Sequence, residues 1–483
     1  MQVYDIAIIG AGPAGTMAAI RSGQLEKNIL LIERNNSIGR KILLSGKGRC
    51  NVTNILSLEE FITKFGRRGA FLRSAFSKFF NQELIDFFKA KGLDLKVERQ
   101  GRVFPVTDRA ASIVEVLMRY LLENKVTIVY ATEVIEIKKE KNSFRLFFAG
   151  GRQTAARRVI LATGGSSFSF TGSRGNGFTI ARKVGHTIVP LMPGLVPLRT
   201  EEAWVKGLQG LTLKNIRLTF TAGNKKITSD IGELLFTHFG VSGPLILDLS
   251  SSVLELFERD KKVSLCIDLK PGLTPVQLED RLLREFRDSG GKNIKNVLKG
   301  ILPLKLIEVF VNLLRLDYNK KSNQVTKEER RAMVSLLKSF CLRITGSLPI
   351  EEAMVTCGGV STKEIDPRTM ESRFVAGLYF AGEIIDASAS SGGYNLQQAF
   401  STGYLAGESA AVSMKTSGHQ DTRTPGHQDT RTPGHQDTRT PGHQDTRTPG
   451  HQVTRTPGHQ DTRSPGHQVT RKRTSPFFSL VTL

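Results

Sequence analysis

The chain is poor in residues that staple or coordinate. Four cysteines (Cys50, Cys266, Cys341 and Cys357) stand among 483 residues, none in a Cys-x-x-Cys spacing. That argues against a disulfide framework or a zinc site and favours a reducing, cytoplasmic setting. No apolar run approaches the ~20 residues that span a bilayer. Asp5 and a glycine turn interrupt the first apolar stretch, where a secretory signal would continue. No membrane partner is expected. Outside the last 66 residues only His186 and His238 remain of nine histidines. A Walker-type Gly-x4-Gly-Lys-Ser/Thr loop is also missing.

What is present is basic. The formal charge is +23. From Gly418 onward nine Arg and Lys face five Asp, which leaves +19 for the body. Such a charge attracts phosphate-rich partners, although no nucleic-acid recognition module accompanies it, and a merely basic surface is the favoured reading. The end of the chain repeats GHQDTRTP every eight residues, from Gly418 through Gly426, Gly434, Gly442, Gly450, Gly458 and Gly466. With almost no apolar content this tail cannot offset its ordering entropy, so disorder is expected over 418–483. Its periodic histidines lack the thiolates or fixed geometry of a metal site, and no metal is expected.

Ile6-Ala7-Ile8-Ile9 reads as a strand buried on both faces, followed by Gly10-Ala11-Gly12-Pro13-Ala14-Gly15 and a helix of small residues. Gly10 permits the tight turn, Gly12 admits a pyrophosphate to the backbone, and Gly15 allows close helix–strand packing. A second buried strand, Ile29-Leu30-Leu31-Ile32, ends at Glu33, where a carboxylate can accept hydrogen bonds from a ribose. These features predict a dinucleotide without choosing between FAD and NAD. No second Gly-x-Gly-x-x-Gly follows in a strand–helix setting.

The segment 55–92 is read as amphipathic helix, its Phe71, Phe76, Phe79, Phe80, Phe87 and Phe88 forming core. Val159-Ile160-Leu161-Ala162 is another buried strand. Residues 194–270 have a β-rich texture and 274–343 a helical one. Buried-strand texture returns at Leu378-Tyr379-Phe380-Ala381, runs into Gly382-Glu383, and is followed by Gly392-Gly393-Tyr394-Asn395 at a helix start. An NAD domain needs no such closing element, whereas a glutathione-reductase-like FAD domain uses one to hold the ribityl chain. That makes FAD the expected cofactor.

Five stretches carry a resemblance. They are Gly39-Arg40-Lys41 with Ser45-Gly46-Lys47-Gly48-Arg49-Cys50-Asn51-Val52-Thr53-Asn54; Gly101-Arg102-Val103-Phe104-Pro105; Ala162-Thr163-Gly164-Gly165 with Thr171-Gly172-Ser173 and Gly175-Asn176-Gly177; Gly232 to Pro244; and Gly382-Glu383 with Gly392-Gly393-Tyr394-Asn395. Together they resemble the BaiN/RdsA-like family of NAD(P)/FAD-dependent oxidoreductases, also called aminoacetone-oxidase-family FAD-binding flavoproteins, over about residues 1–412. One departure is Asp386-Ala387-Ser388-Ala389, where that family more often has Asp-Val-Asp-Gly.

The resemblance implies an α/β fold. A glutathione-reductase-like FAD-binding Rossmann domain (1–192 and 346–414) is interrupted by a β-barrel-like subdomain (193–272) and a helical subdomain (273–345), with the repeat tail beyond. The expected FAD contacts are Gly10, Gly12, Pro13, Ala14, Gly15, Glu33, Arg34, Lys41, Ser45, Gly46, Arg49, Cys50, Asn51, Thr163, Gly164, Gly165, Gly382, Glu383, Gly393, Tyr394 and Asn395. Cys50 and His238 are candidate catalytic groups. Each has a plainer reading: Cys50 as a packed small residue without a second thiol, His238 as a structural turn residue.

The expected activity is hydride transfer at flavin N5 to or from a small organic substrate, with NAD(P)H docking transiently. Two alternatives stay open: a flavin-dependent RNA-modifying enzyme, and a non-catalytic FAD-binding protein.

Overall fold

The computed structural model describes residues 3–260 and 262–416; the octapeptide copies and their expected disorder lie outside the described residues. Strands that read as uniformly apolar form the centre of a seven-stranded sheet. Val3–Ile9 lies between Ile29–Ile32 and Gln153–Leu161, all parallel, with Thr127–Val129 outside Ile29–Ile32. Leu378–Phe380 adds in parallel to the C-terminal half of Gln153–Leu161, and the hairpin Val134–Lys139/Phe144–Phe148 adds antiparallel to its N-terminal half. All four residues of Ile29–Ile32 are buried, as a parallel strand covered on both faces requires.

Helix Pro13–Gln24 packs on the last helix, Tyr394–Thr416. Small residues permit the approach: a Cβ at Gly403 would lie 2.2 Å from the Ala14 carbonyl oxygen. The phenylalanine-rich segment forms three short helices, Leu58–Thr63, Gly69–Lys78 and Asn81–Lys89. Phe61, Phe76 and Phe88 are fully buried. Phe61 stacks edge-on against Phe76, Phe80 and Tyr394 at centroid distances of 4.9–5.2 Å, so this stripe is core.

The chain leaves the sheet along Ile188–Gly194 and returns along Val355–Val360, paired antiparallel with it. Between them a closed barrel runs in the order Leu198–Thr200, Gly240–Ser242, Lys225–Phe236, Thr212–Ala222, Val263–Asp268, Phe340–Ser347. The helices Pro275–Asp288, Ile294–Leu298, Leu304–Leu313 and Lys327–Lys338 are inserted between the last two of these strands. The β-rich and helical stretches are therefore nested rather than consecutive, because Phe340–Ser347 comes back to close the barrel. Thr274 and Thr326 start two of the helices with full capping boxes to Gln277 and Glu329.

One expectation is overturned here. Cys266 and Cys341 form a disulfide across a sequence separation of 75. They are direct partners in the antiparallel pair Val263–Asp268/Phe340–Ser347, so ladder register creates a pairing that linear spacing conceals. Cys50 and Cys357 are free. Among the described residues no helix is long and apolar enough to cross a membrane.

Candidate functional site

The parallel strands end together at Ile9, Ile32, Leu161 and Phe380, and the loops that leave them meet at that end of the sheet, Gly10 against Ala162 and Gly382 against Ala14. The first turn is closed by contact: Gly10 has φ +100°, and a Cβ at Gly15 would sit 1.8 Å from the Gly10 carbonyl oxygen. A Cβ at Gly12 would meet nothing within 4 Å, and no side chain caps the helix that begins at Pro13. A helix start thus faces open space, as a phosphate-binding turn requires. Glu33, 7% exposed, accepts from the Ala11 N–H at 2.8 Å and from the Asn35 N–H at 2.8 Å. It ties the end of the second strand to the glycine turn.

Arg34 donates to the Gly172 carbonyl and pairs with Glu133, each at 3.3 Å. Lys41 Nζ bridges Ser167 Oγ and Glu383 Oε2, both at 2.7 Å. The other oxygen of Glu383 accepts from Thr356 N–H at 2.8 Å and Ser167 Oγ at 3.0 Å. Four distant segments therefore meet at one carboxylate. Gly165 lies against this group, where a Cβ would be 2.3 Å from Thr356 Oγ1.

The loop 45–54 forms the next wall. Ser45 Oγ donates to Ile42 O, and Cys50 N–H donates to Ser45 O. Cys50 is fully buried; burial pushes its thiol up to about 12, only partly opposed by a hydrogen bond with Ser45. It is protonated at neutral pH. Asn54 Nδ2 donates to Gly392 O at 3.2 Å, and a Cβ at Gly393 would strike the Thr53 carbonyl at 2.4 Å. Asn395 exchanges hydrogen bonds with Ala389, accepting at 2.8 Å and donating at 2.9 Å. Tyr394 is 6% exposed, its ring against Phe61.

The chain's own polar atoms suit a bound group here. Asn51 Oδ1 and Thr163 Oγ1 are buried without a hydrogen-bond partner, and the open space at Gly12 adds an unfilled helix start. Buried polar atoms without partners are costly, and a ligand carrying hydroxyl and phosphate groups would satisfy such atoms.

One expected FAD contact, Arg49, and one candidate catalytic group, His238, have other neighbours. Arg49 is held by Glu98 and Asp108 and lies over the Phe104 ring, 4.3 Å from its centroid. His238 is exposed in the turn between Lys225–Phe236 and Gly240–Ser242, against Phe239. Sequence reasoning missed Thr356, Ser167 and Gln398, the last of which donates to Gly382 O at 3.1 Å. The Gly358-Gly359 pair beside Thr356 was the available signal. Cys357, next to Thr356, contacts Ser251 and Ser388, each with oxygen 3.3 Å from its sulfur.

Comparison with known proteins agrees with this architecture. Residues 4–409 match the model of the HI0933-like protein Rossmann domain. A 3-dehydro-bile acid delta(4,6)-reductase from Clostridium scindens is 32% identical over 84% of this chain and 98% of its own length. A ribosomal RNA dihydrouridine synthase from Escherichia coli K12 is 33% identical over 84% of this chain and 97% of its own. Among solved structures, a 3-ketosteroid-delta4-(5alpha)-dehydrogenase from Rhodococcus jostii aligns at 14% identity and a TM-score of 0.47, over 84% of this chain and 96% of that one.

Proposed function

The chain belongs to the HI0933-like Rossmann family, and we propose that it is an FAD-dependent reductase of a small unsaturated organic substrate. The observation that carries this reading is the meeting of Lys41, Ser167 and Thr356 at the Glu383 carboxylate, next to Gly382, where a Cβ would lie 2.7 Å from the Ala14 side chain of the glycine turn. The closing element thus sits against the opening turn, an arrangement suited to a cofactor longer than a mononucleotide. FAD, when bound, supplies hydride transfer at its flavin ring.

The chain's residues supply the rest. The helix start at Gly12 would take the phosphates, the Glu33 carboxylate would accept from a ribose, and Asn51 and Thr163 would offer buried acceptor and hydroxyl groups. The N-terminus of Tyr394–Thr416, with its partial positive charge, would stabilise negative charge on a bound flavin. NAD(P)H is the proposed electron donor, docking transiently.

The two relatives point to one chemistry. A delta(4,6)-reductase and a dihydrouridine synthase each add two hydrogens across a carbon–carbon double bond conjugated to a carbonyl. We extend that bond type to this chain. Anaerobic mixing of the FAD-loaded protein with NADPH or NADH, followed by a 3-oxo-4,6-diene steroid, tests it: flavin bleaching and then reoxidation by the steroid is the expected result. A second reading, reduction of uridine in RNA, is favoured by the +19 body and the dihydrouridine synthase relatives. Reoxidation by RNA but not by steroid would select it.

A further inference from the structure

A polar cavity opens where the barrel meets the inserted helices, on different elements from Lys41, Ser167, Thr356 and Glu383. It measures about 330 Å³ and is lined by Lys214, Asn215, Lys270, Arg281 and the turn Pro271-Gly272. Three cations and one amide face it, and no carboxylate is among its lining residues. Two acids stand close by. Asp268 pairs with Lys338 at 2.7 Å and accepts from the Lys270 backbone N–H at 2.9 Å, and Glu285 is a long 3.8 Å from Arg281 Nε.

The backbone is shaped to aim these groups. The strand Thr212–Ala222 shifts register between Leu213 and Ile216, and within that bulge Asn215 adopts φ +55°. A non-glycine residue in the left-handed region is uncommon, and bulges re-aim side chains, often beside functional sites. Lys338 donates to the Lys270 and Leu273 carbonyls, which fixes the loop carrying Lys270. Lys270 is half-buried; burial first, and the Arg281 charge second, hold its ammonium below the usual range. Crowded, partly desolvated cations whose charge exceeds that of the acids beside them are stabilised by an anion.

We propose that this cavity is a phosphate-binding site, in which Lys214, Lys270 and Arg281 together hold one phosphate group. Glu285 meets Arg281 only at 3.8 Å, and a multiply charged tetrahedral oxyanion offers several acceptor oxygens to the Arg281 fork and the two ammonium groups. The phosphate belongs either to a small molecule or to a nucleic-acid backbone.

Calorimetric titration of the full chain, carrying its FAD, with inorganic pyrophosphate and separately with a uridine oligoribonucleotide at low salt tests the site. At least one probe binds, and Lys270→Gln and Arg281→Gln each weaken it tenfold or more with FAD content unchanged. Pyrophosphate binding identifies a small-molecule phosphate, and binding of the RNA alone identifies the backbone. Lys214→Gln, at an exposed position, gives the same loss should either other variant fold poorly. Binding of neither probe, or equal binding by wild type and variants, overturns the proposal. The readout is independent of flavin chemistry, so its failure leaves the proposed function standing.

Discussion

Lys41 Nζ and Glu383 Oε2 lie 2.7 Å apart although 342 positions separate them in sequence. This pair fastens the short helix Arg40–Leu44 to the closing element. Both side chains are about three-quarters or more shielded, at 26% and 19% exposure. Removing one partner strands the other, at about 1–3 kcal/mol. Glu383→Gln and Lys41→Met should therefore retain FAD about tenfold or more less tightly, measured as flavin per chain after dialysis. Retention equal to wild type would remove the pair from the cofactor site.

Gly12 and Gly15 separate folding from binding within one turn. A methyl at Gly15 collides with the Gly10 carbonyl, while one at Gly12 meets no protein atom, and Gly12 lies at φ −75°. Gly15→Ala should lose soluble folded protein or most of its stability. Gly12→Ala should keep its melting temperature in the cofactor-free state yet bind FAD weakly, because the methyl fills the phosphate approach. Tight FAD binding by Gly12→Ala would show that the open space is not used.

Much of this site is legible in the sequence because it depends on short-range rules. All-apolar strands, a glycine turn and an acid at a strand end are local signals, and so is the phenylalanine stripe. What escaped depends on pairing between distant segments. Arg49 reads as a loop cation, yet Glu98 and Asp108 draw it away. The Cys266–Cys341 bond and the return of Phe340–Ser347 to the barrel follow from ladder register. Thr356 and Ser167 matter because both converge on Glu383, which no linear spacing announces.

The disulfide should be measurable as stability. Closing a loop across a separation of 75 residues lowers unfolded-chain entropy by an amount worth up to about 4 kcal/mol. Calorimetry with and without reductant should show a lower melting temperature when reduced, and Cys266→Ser should melt low in both conditions. A melting temperature indifferent to reductant would argue that the bond adds nothing.

His186 predicts the acid limb of stability. It is buried, with Nε2 2.8 Å from Ser372 Oγ and Nδ1 3.2 Å from Glu364 Oε2. Burial pulls its pKa below the ordinary 6.5, outweighing the opposing pull of Glu364. The unfolded chain therefore takes up a proton near pH 6.5 that the folded chain accepts only at lower pH. This group's contribution is complete above pH 6.5 and declines as pH falls below it. Denaturant midpoints at pH 7.5 and 5.5 should differ in that direction, and His186→Gln should narrow the difference. An unchanged difference would place the acid sensitivity elsewhere.

Cys50 and Cys357 should react differently. A thiol with a pKa of about 12 supplies almost no thiolate at pH 8, whereas Cys357 is half-exposed. Iodoacetamide followed by peptide mass analysis should label Cys357 and spare Cys50 in the folded protein. Rapid labelling of Cys50 would contradict its burial.

The proposal that FAD sits between the glycine turn and Glu383 is open to direct test. The most direct measurement is the visible absorbance spectrum of the purified chain, taken before and after incubation with FAD and desalting. The account predicts flavin bands corresponding to about one FAD per chain. A colourless protein that also takes up no added FAD would contradict it.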